Sequence, residues 1–211
     1  MIAIIDYEAG NLASVARAVS HLGYANVITR DIGEIRSADR IIFPGVGAAG
    51  SAMTSLKRLG IDAALHEAFN QGKPMLGICL GTQIIMGYSE ENQTPCLGII
   101  PGIVRAFSPD LSNSDGIRLK IPQMGWNSVQ PAKDHPVLAG LKETDEFYFV
   151  HGFYPEPAQS DHVVGTTHYG IQFASIVGYR NILATQFHLE KSGKSGLALL
   201  NNFCQWIPAA L

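Results

Sequence analysis

Cysteine is scarce in this chain of 211 residues: there are three, Cys79, Cys96 and Cys204. An odd number without metal-ligand spacing excludes a disulfide framework and fits a reducing compartment, so a cytoplasmic protein is expected. The seven histidines are scattered and contain no His-x-x-x-His pair, so neither a metal site nor a cofactor is expected. Charge is sparse as well. Only 16% of residues are charged and the net charge is −3, which gives no electrostatic footing for nucleic acid or an anionic membrane. No apolar run approaches the roughly 18–20 residues that span a bilayer. The start, Met1-Ile2-Ala3-Ile4-Ile5-Asp6, has neither the basic region nor the cleavage pattern of a signal peptide. Gly10 stands alone in the first loop, where a dinucleotide fingerprint needs three glycines. Repeats, linkers and low-complexity stretches are missing too, so one domain over residues 1–211 is expected.

The first half of the chain reads as alternating strands and helices. Ile2 to Ile5 suits a strand, and Asn11 suits the N-cap of a helix that presents Leu12, Val15, Ala16, Val19 and Leu22 on one face and closes at Gly23. Val27 to Thr29 and Arg40 to Phe43 read as strands, the second entering the glycine-rich turn Pro44-Gly45-Val46-Gly47. Helices over about Gly50 to Leu59 and Ile61 to Asn70 follow. This order predicts an α/β fold with an open, mostly parallel sheet flanked by helices, whose sites lie at the carboxyl ends of strands. Beyond Glu91 the pattern changes. Leu97 to Phe107, Ile117 to Val129 and Phe147 to Tyr154 read as strands, and Ser108 to Gly116 as a polar, mobile surface loop. Val163 to Thr167, Phe173 to Val177 and Ile182 to Phe187 read as a hairpin series, an antiparallel or mixed region added to the parallel half. Gly196 to Trp206 reads as a final helix with Leu197, Leu200 and Phe203 inward.

Lys73-Pro74-Met75-Leu76-Gly77-Ile78-Cys79-Leu80-Gly81-Thr82-Gln83 is the stretch around which the rest is arranged. A buried strand begun by Pro74 runs into a sharp turn, and a helix opens at Gly81. Glycines two residues either side of Cys79 form Gly-x-Cys-x-Gly, the thiol counterpart of the nucleophile elbow. Such a turn strains its apex residue, demands small neighbours, and lifts the sulfur clear of the sheet beside a helix start, which favours thiolate. A cysteine after an apolar strand is more often a small core residue, so the elbow alone leaves both readings standing. The balance is tipped by Gln186-Phe187-His188-Leu189-Glu190. His188 lies where a strand leaves the sheet, and in extended chain Glu190 points the same way. Glu190 can then take one ring N–H of His188 while the other nitrogen faces Cys79, the logic of a Cys-His-acid triad.

Gly77 to Gln83 and Gln186-Phe187-His188-Leu189-Glu190-Lys191-Ser192 resemble the signature motifs of class I (triad) glutamine amidotransferases. DYEAGNLASV at 6–15, FPGVG at 43–47, KIPQMGWN at 120–127 and YFVHGFY at 148–154 are similar, more narrowly, to the glutaminase subunits of imidazole glycerol phosphate synthases. The resemblance implies that Cys79, His188 and Glu190 hydrolyse L-glutamine to glutamate and ammonia, with backbone N–H groups of Leu80 and of Val46 or Gly47 holding the oxyanion. It implies that Gln83 and Glu91 grip the substrate. The chain has no segment able to use ammonia, and the resemblance implies a separate (β/α)8-barrel cyclase as heterodimeric partner. That cyclase makes imidazole glycerol phosphate and an aminoimidazole carboxamide ribonucleotide in histidine biosynthesis. Asn11, Leu12, Gln123, Met124, Gly125, Trp126, Asn127 and Lys191 are the residues expected on the docking face. The chain departs from the family's usual residues at Leu189 (commonly proline), at Gln123 (commonly histidine), at Gly152 and Phe153, and at Glu8 and Ala13. The alternatives are a paralogue feeding ammonia to amination of a surface-polysaccharide sugar, a cysteine hydrolase of the same fold, and a non-catalytic binding subunit. His151 is expected to be a satisfied strand-end histidine or to shape the site, Trp126 to be core or partner surface, and His21, His66, His135 and His162 to face solvent. Cys96 and Cys204 are expected to be spectators.

Overall fold

The computed structural model describes residues 1–209. Its strands in chain order are β1 (Ile2–Ile5), β2 (Asn26–Thr29), β3 (Arg40–Gly45), β4 (Met75–Cys79), β5 (Tyr88–Ser89), β6 (Thr94–Pro95) and β7 (Gly102–Ala106). Then come β8 (Gln123–Ser128), β9 (Gln130–Pro131), β10 (Glu146–His151), β11 (Phe153–Pro157), β12 (Val163–Tyr169), β13 (Ile171–Tyr179) and β14 (Ile182–Thr185). The helices are α1 (Leu12–His21), α2 (Ile32–Ser37), α3 (Ala49–Leu59), α4 (Ile61–Asn70), α5 (Leu80–Ile84) and α6 (Gly193–Gln205).

The main sheet runs β2-β1-β3-β4-β14-β13-β12-β9. β2, β1, β3, β4 and β14 are parallel, and β13, β12 and β9 add antiparallel pairings, as the hairpin series predicts. Buried strands alternate between two cores. Ala3, Ile5, Ile41, Phe43 and Met75 pack with residues of α2, α3, α4 and α5. Ile2, Ile4, Ile42, Leu76 and Ile78 pack with α1 and α6. Both faces are therefore covered, which is why these strands read as unbroken apolar runs. In register, Gly45 of β3 pairs with Cys79 of β4, so the two distinctive turns lie side by side at the carboxyl edge. No helix among the described residues is long and apolar enough to cross a membrane.

Several boundaries differ from the sequence reading. The crossover helix α2 is not anticipated, although Asp31 accepts from the Glu34 amide as its N-cap, 2.9 Å away, and Asp-x-x-Glu spells that cap. Asn11 sits at the N-cap position of α1 in left-handed conformation, φ 65°, and makes no cap bond. Helix α5 opens at Leu80 rather than Gly81. The expected strand Leu97 to Phe107 forms only at β7, and Ile117 to Val129 only at β8. The largely exposed stretch before β8 has the cis Ile121–Pro122 bond. Phe147 to Tyr154 breaks at Gly152 into β10, which pairs with β8, and β11, which pairs with β7 in a separate four-stranded sheet. The last strand of the hairpin series ends at Thr185 rather than Phe187, and α6 begins at Gly193, with Leu199 and Cys204 buried beside Leu200 and Phe203. Residues 108–116 are irregular, but Leu111 is buried.

Candidate active site

At the apex of the elbow Cys79 has φ 56° and ψ −104°, a region that costs a side-chain-bearing residue about 1–3 kcal/mol and persists where the surroundings impose it. The glycines are what allow it. A Cβ on Gly81 would lie 2.1 Å from the Phe43 carbonyl oxygen, and one on Gly77 2.9 Å from Ala184 Cβ. Strand, turn and α5 thus close on one another with backbone in contact, and the sulfur is presented at the sheet edge.

His188 follows β14, its amide donating to the Tyr148 carbonyl of β10 at 2.9 Å. Glu190 lies in a 3-10 turn, Leu189–Lys191, rather than in the extended chain expected. The turn achieves the same pairing: His188 Nδ1 donates to Glu190 Oε1 at 2.7 Å, with both side chains withdrawn from solvent. Burial pulls the pKa of His188 down, but the nearness of Cys79 and the bond to Glu190 outweigh it and hold the ring up at about 9; its Nε2 makes no hydrogen bond among the described residues. The nucleophile, base and acid read from the sequence are brought together.

Cys79 and the substrate candidates share a pocket of about 290 Å³ that also includes Val46, Gly47, Leu80, Gln83, Glu91, His151 and Phe153. Gln83 Nε2 is within 3.3 Å of both the Phe153 carbonyl and Gln186 Oε1, so its own oxygen is the group left to accept. Glu91 Oε2 accepts from the Ala49 amide at 2.7 Å. Leu80, as first residue of α5, has an N–H without an intrahelical acceptor. The Val46 amide, one of the expected oxyanion donors, is already engaged: it donates to Ala9 O at 3.0 Å.

Other residues were not singled out by sequence. Gln186, fully buried, donates through Nε2 to the Cys79 sulfur at 3.8 Å; its place two residues before His188 was the available signal. Tyr7 is buried, and its hydroxyl has no partner among the described residues. Burial, then charge at Cys79, pushes its pKa upward. His151 both shapes the site and is satisfied: Nδ1 lies 2.7 Å from the Phe153 carbonyl and Nε2 3.0 Å from the Gln123 amide. Burial lowers its pKa to about 4, against the Phe153 bond and with His188 adding to the effect.

On the expected docking face Met124 (65% exposed) and Trp126 (53%) point outward, with Trp126 against Tyr148 and Lys191 above the Tyr148 ring. Gln123 does not share that face. It alternates inward to His151 and is buried. Leu12, Gly125 and Asn127 are half-buried, and Asn127 Nδ2 donates to His168 O at 2.9 Å. His21 is exposed and His66 half-buried, whereas His162 is buried rather than solvent-facing. His135 accepts from the Val137 amide as a turn cap. No cluster of metal-ligating side chains occurs among the described residues.

The family model for glutamine amidotransferase class-I matches residues 3–206. The chain belongs to that family. It is 49% identical over 203 residues, 96% of this chain and 95% of the relative, to the imidazole glycerol phosphate synthase subunit HisH of Nitratidesulfovibrio vulgaris (strain DSM 19637 / Miyazaki F). To the subunit of the same name from Pseudomonas syringae pv. syringae (strain B728a) it is 47% identical, covering 97% of each. Among solved structures, a glutamine amidotransferase superposes with TM-score 0.73 at 16% identity, covering 97% of each chain. PurLQS from Thermotoga maritima does so with 0.68 at 17%, also covering 97% of each. At such identities these two speak for the fold alone.

Proposed function

We propose that the chain, acting as one domain, is the glutaminase subunit of an imidazole glycerol phosphate synthase in histidine biosynthesis. The observation that carries the chemistry is the buried His188–Glu190 pair, 2.7 Å between Nδ1 and Oε1, set behind a strained elbow cysteine. The likeness at 49% identity to a synthase subunit carries the pathway, and favours it over a sugar-aminating paralogue. Cys79 thiolate adds to the side-chain amide carbon of L-glutamine, and the oxyanion is held by the N–H groups of Leu80 and Gly47. His188 protonates the departing ammonia, leaving a thioester on Cys79. His188 then takes a proton from water as it attacks, and glutamate leaves. The Gln83 oxygen and the Glu91 carboxylate are acceptors suited to the substrate's α-ammonium. Ammonia passes to a (β/α)8-barrel cyclase, and the Met124–Trp126–Tyr148–Lys191 face, with Asn11 and Leu12 beside it, is where that subunit docks. An exposed apolar face of this kind marks an interaction surface.

An electrophilic glutamine analogue, a diazo-ketone norleucine, tests this, with the adduct mapped by mass spectrometry with and without excess glutamine. The expected result is an adduct on Cys79 that glutamine suppresses, in the chain alone or once the barrel subunit is added. Absence of labelling in both conditions would overturn the glutaminase assignment.

A further inference from the structure

Asn11 closes the loop between β1 and α1 and caps nothing. Its side-chain Nδ2 instead donates to Glu190 Oε1, the oxygen that also receives the His188 ring N–H. A carboxylate oxygen facing an amide can only accept, so chemistry fixes the orientation of the Asn11 side chain. The Glu190 side chain is wholly withdrawn from solvent, and its second oxygen has no partner among the described residues. Asn11 and His188 are thus the two groups that hold it. The contact also explains why the chain accepts a left-handed, side-chain-bearing residue here, φ 65° and ψ 9°, where asparagine is among the few that tolerate it.

We propose that Asn11 is a positioning residue for the triad: its amide fixes the Glu190 carboxylate in the orientation that receives the His188 N–H. The inference rests on the glutaminase reading above and assigns Asn11 a part in the reaction, beyond helix start or docking. Without the amide the carboxylate turns about its terminal bond, and His188 loses a fixed acceptor. The ionisable groups facing His188 are Cys79 on the elbow, Glu190 in its own turn and His151 at the end of β10. Lys191 points instead to Tyr148. Loosening Glu190 therefore lowers the proton affinity of the ring.

The test compares wild type with Asn11→Gly and Asn11→Ala, glycine removing the amide while suiting the left-handed backbone. Glutamine hydrolysis is followed across the His188 titration range with the barrel subunit present, and the His188 ring is titrated by NMR in the chain alone. Expected in both variants are a kcat lower by about 10-fold or more with KM within about 2-fold. The His188 pKa is expected to fall by about half a unit or more. Wild-type kcat and an unmoved His188 titration would overturn the proposal, and so would a uniform loss of activity with the titration unmoved. If wild type releases no ammonia from glutamine, the glutaminase reading fails separately. The NMR titration then decides alone whether Asn11 governs the Glu190–His188 pair.

Discussion

Cys79 holds a backbone conformation that almost any other position in a strand would shed. The conformation is imposed by Gly77 and Gly81, whose missing Cβ atoms let β4, α5, Phe43 and Ala184 meet, and that pattern is written in the sequence as Gly-x-Cys-x-Gly. A consequence follows for substitutions that remove the sulfur. Both Cys79→Ala and Cys79→Gly are expected to lose glutamine hydrolysis. Cys79→Gly is expected to be the more stable of the two by about 1 kcal/mol, the reverse of the usual order inside an element. Urea unfolding of the pair checks this; an alanine variant as stable as the glycine one would mean the turn relaxes once the sulfur is gone. The grouping of Cys79, His188 and Glu190 was legible because the three lie in two short motifs. What was not legible depends on partners remote in sequence: Val46's bond to Ala9, Gln186's approach to Cys79, and the 179 residues separating Asn11 from Glu190. Spacing rules say nothing about such contacts.

Among the elements, the parallel strands were read correctly because burial on both faces leaves an unmistakable apolar run, as in Ile2–Ile5 and Met75–Cys79. Helix α2 was hidden by its length, six residues, too short to show a helical period. The break at Gly152 was hidden because aromatic residues flank it on both sides, from Phe147 to Phe149 and at Phe153 and Tyr154, while the two halves join different sheets. The turn Leu189–Lys191 shows how a departure from the family's usual proline is accommodated. Leu189 is the first residue of that turn and is 1% exposed in the apolar core with Leu199 and Leu200. Proline is well suited to that first position, and the preceding His188, at φ −92° and ψ 103°, already has the extended backbone that a following proline requires. Leu189→Pro is therefore expected to keep kcat within about 3-fold of wild type, because the turn that aims Glu190 survives. Stability is expected to fall by about 1–2 kcal/mol as the buried leucine surface is lost. Kinetics and thermal unfolding measured together decide it. A much larger loss of kcat at unchanged stability would show that the leucine itself helps to place the triad.

On the scale of the whole molecule, the buried ionisable groups set opposing demands on pH. His151 is held at about 4 by burial, and His135 is held at about 4 by burial and nearby Lys133, both below the ordinary histidine value of about 6.5. Between those values the unfolded chain binds more protons than the folded one, so stability is lost as pH falls from about 6.5 toward 4. For buried His151 alone the loss is on the order of 3 kcal/mol. Protonating His135 also removes its ring acceptor from the Val137 amide. His188 works in the other direction. Its folded pKa, about 9, lies above the unfolded value, so its contribution is complete below about pH 6.5 and is lost as pH rises through 9. Cys96 and Cys204 are raised by burial to about 11 and about 12. They ionise first in the unfolded chain and steepen the alkaline loss above about pH 8.5. The expected profile is a single maximum near pH 6.5, measured as the urea midpoint across the range. Replacing Cys79 by alanine should flatten the limb between about pH 6.5 and 9, since it removes one of the two partners that raise His188, while leaving the acid limb in place. A midpoint that climbs steadily through pH 9 would mean that His188 is not held as a charged ring between Cys79 and Glu190. In that case the charged His188 ring on the Glu190 carboxylate, the proton donor of the proposed mechanism, would have to be abandoned.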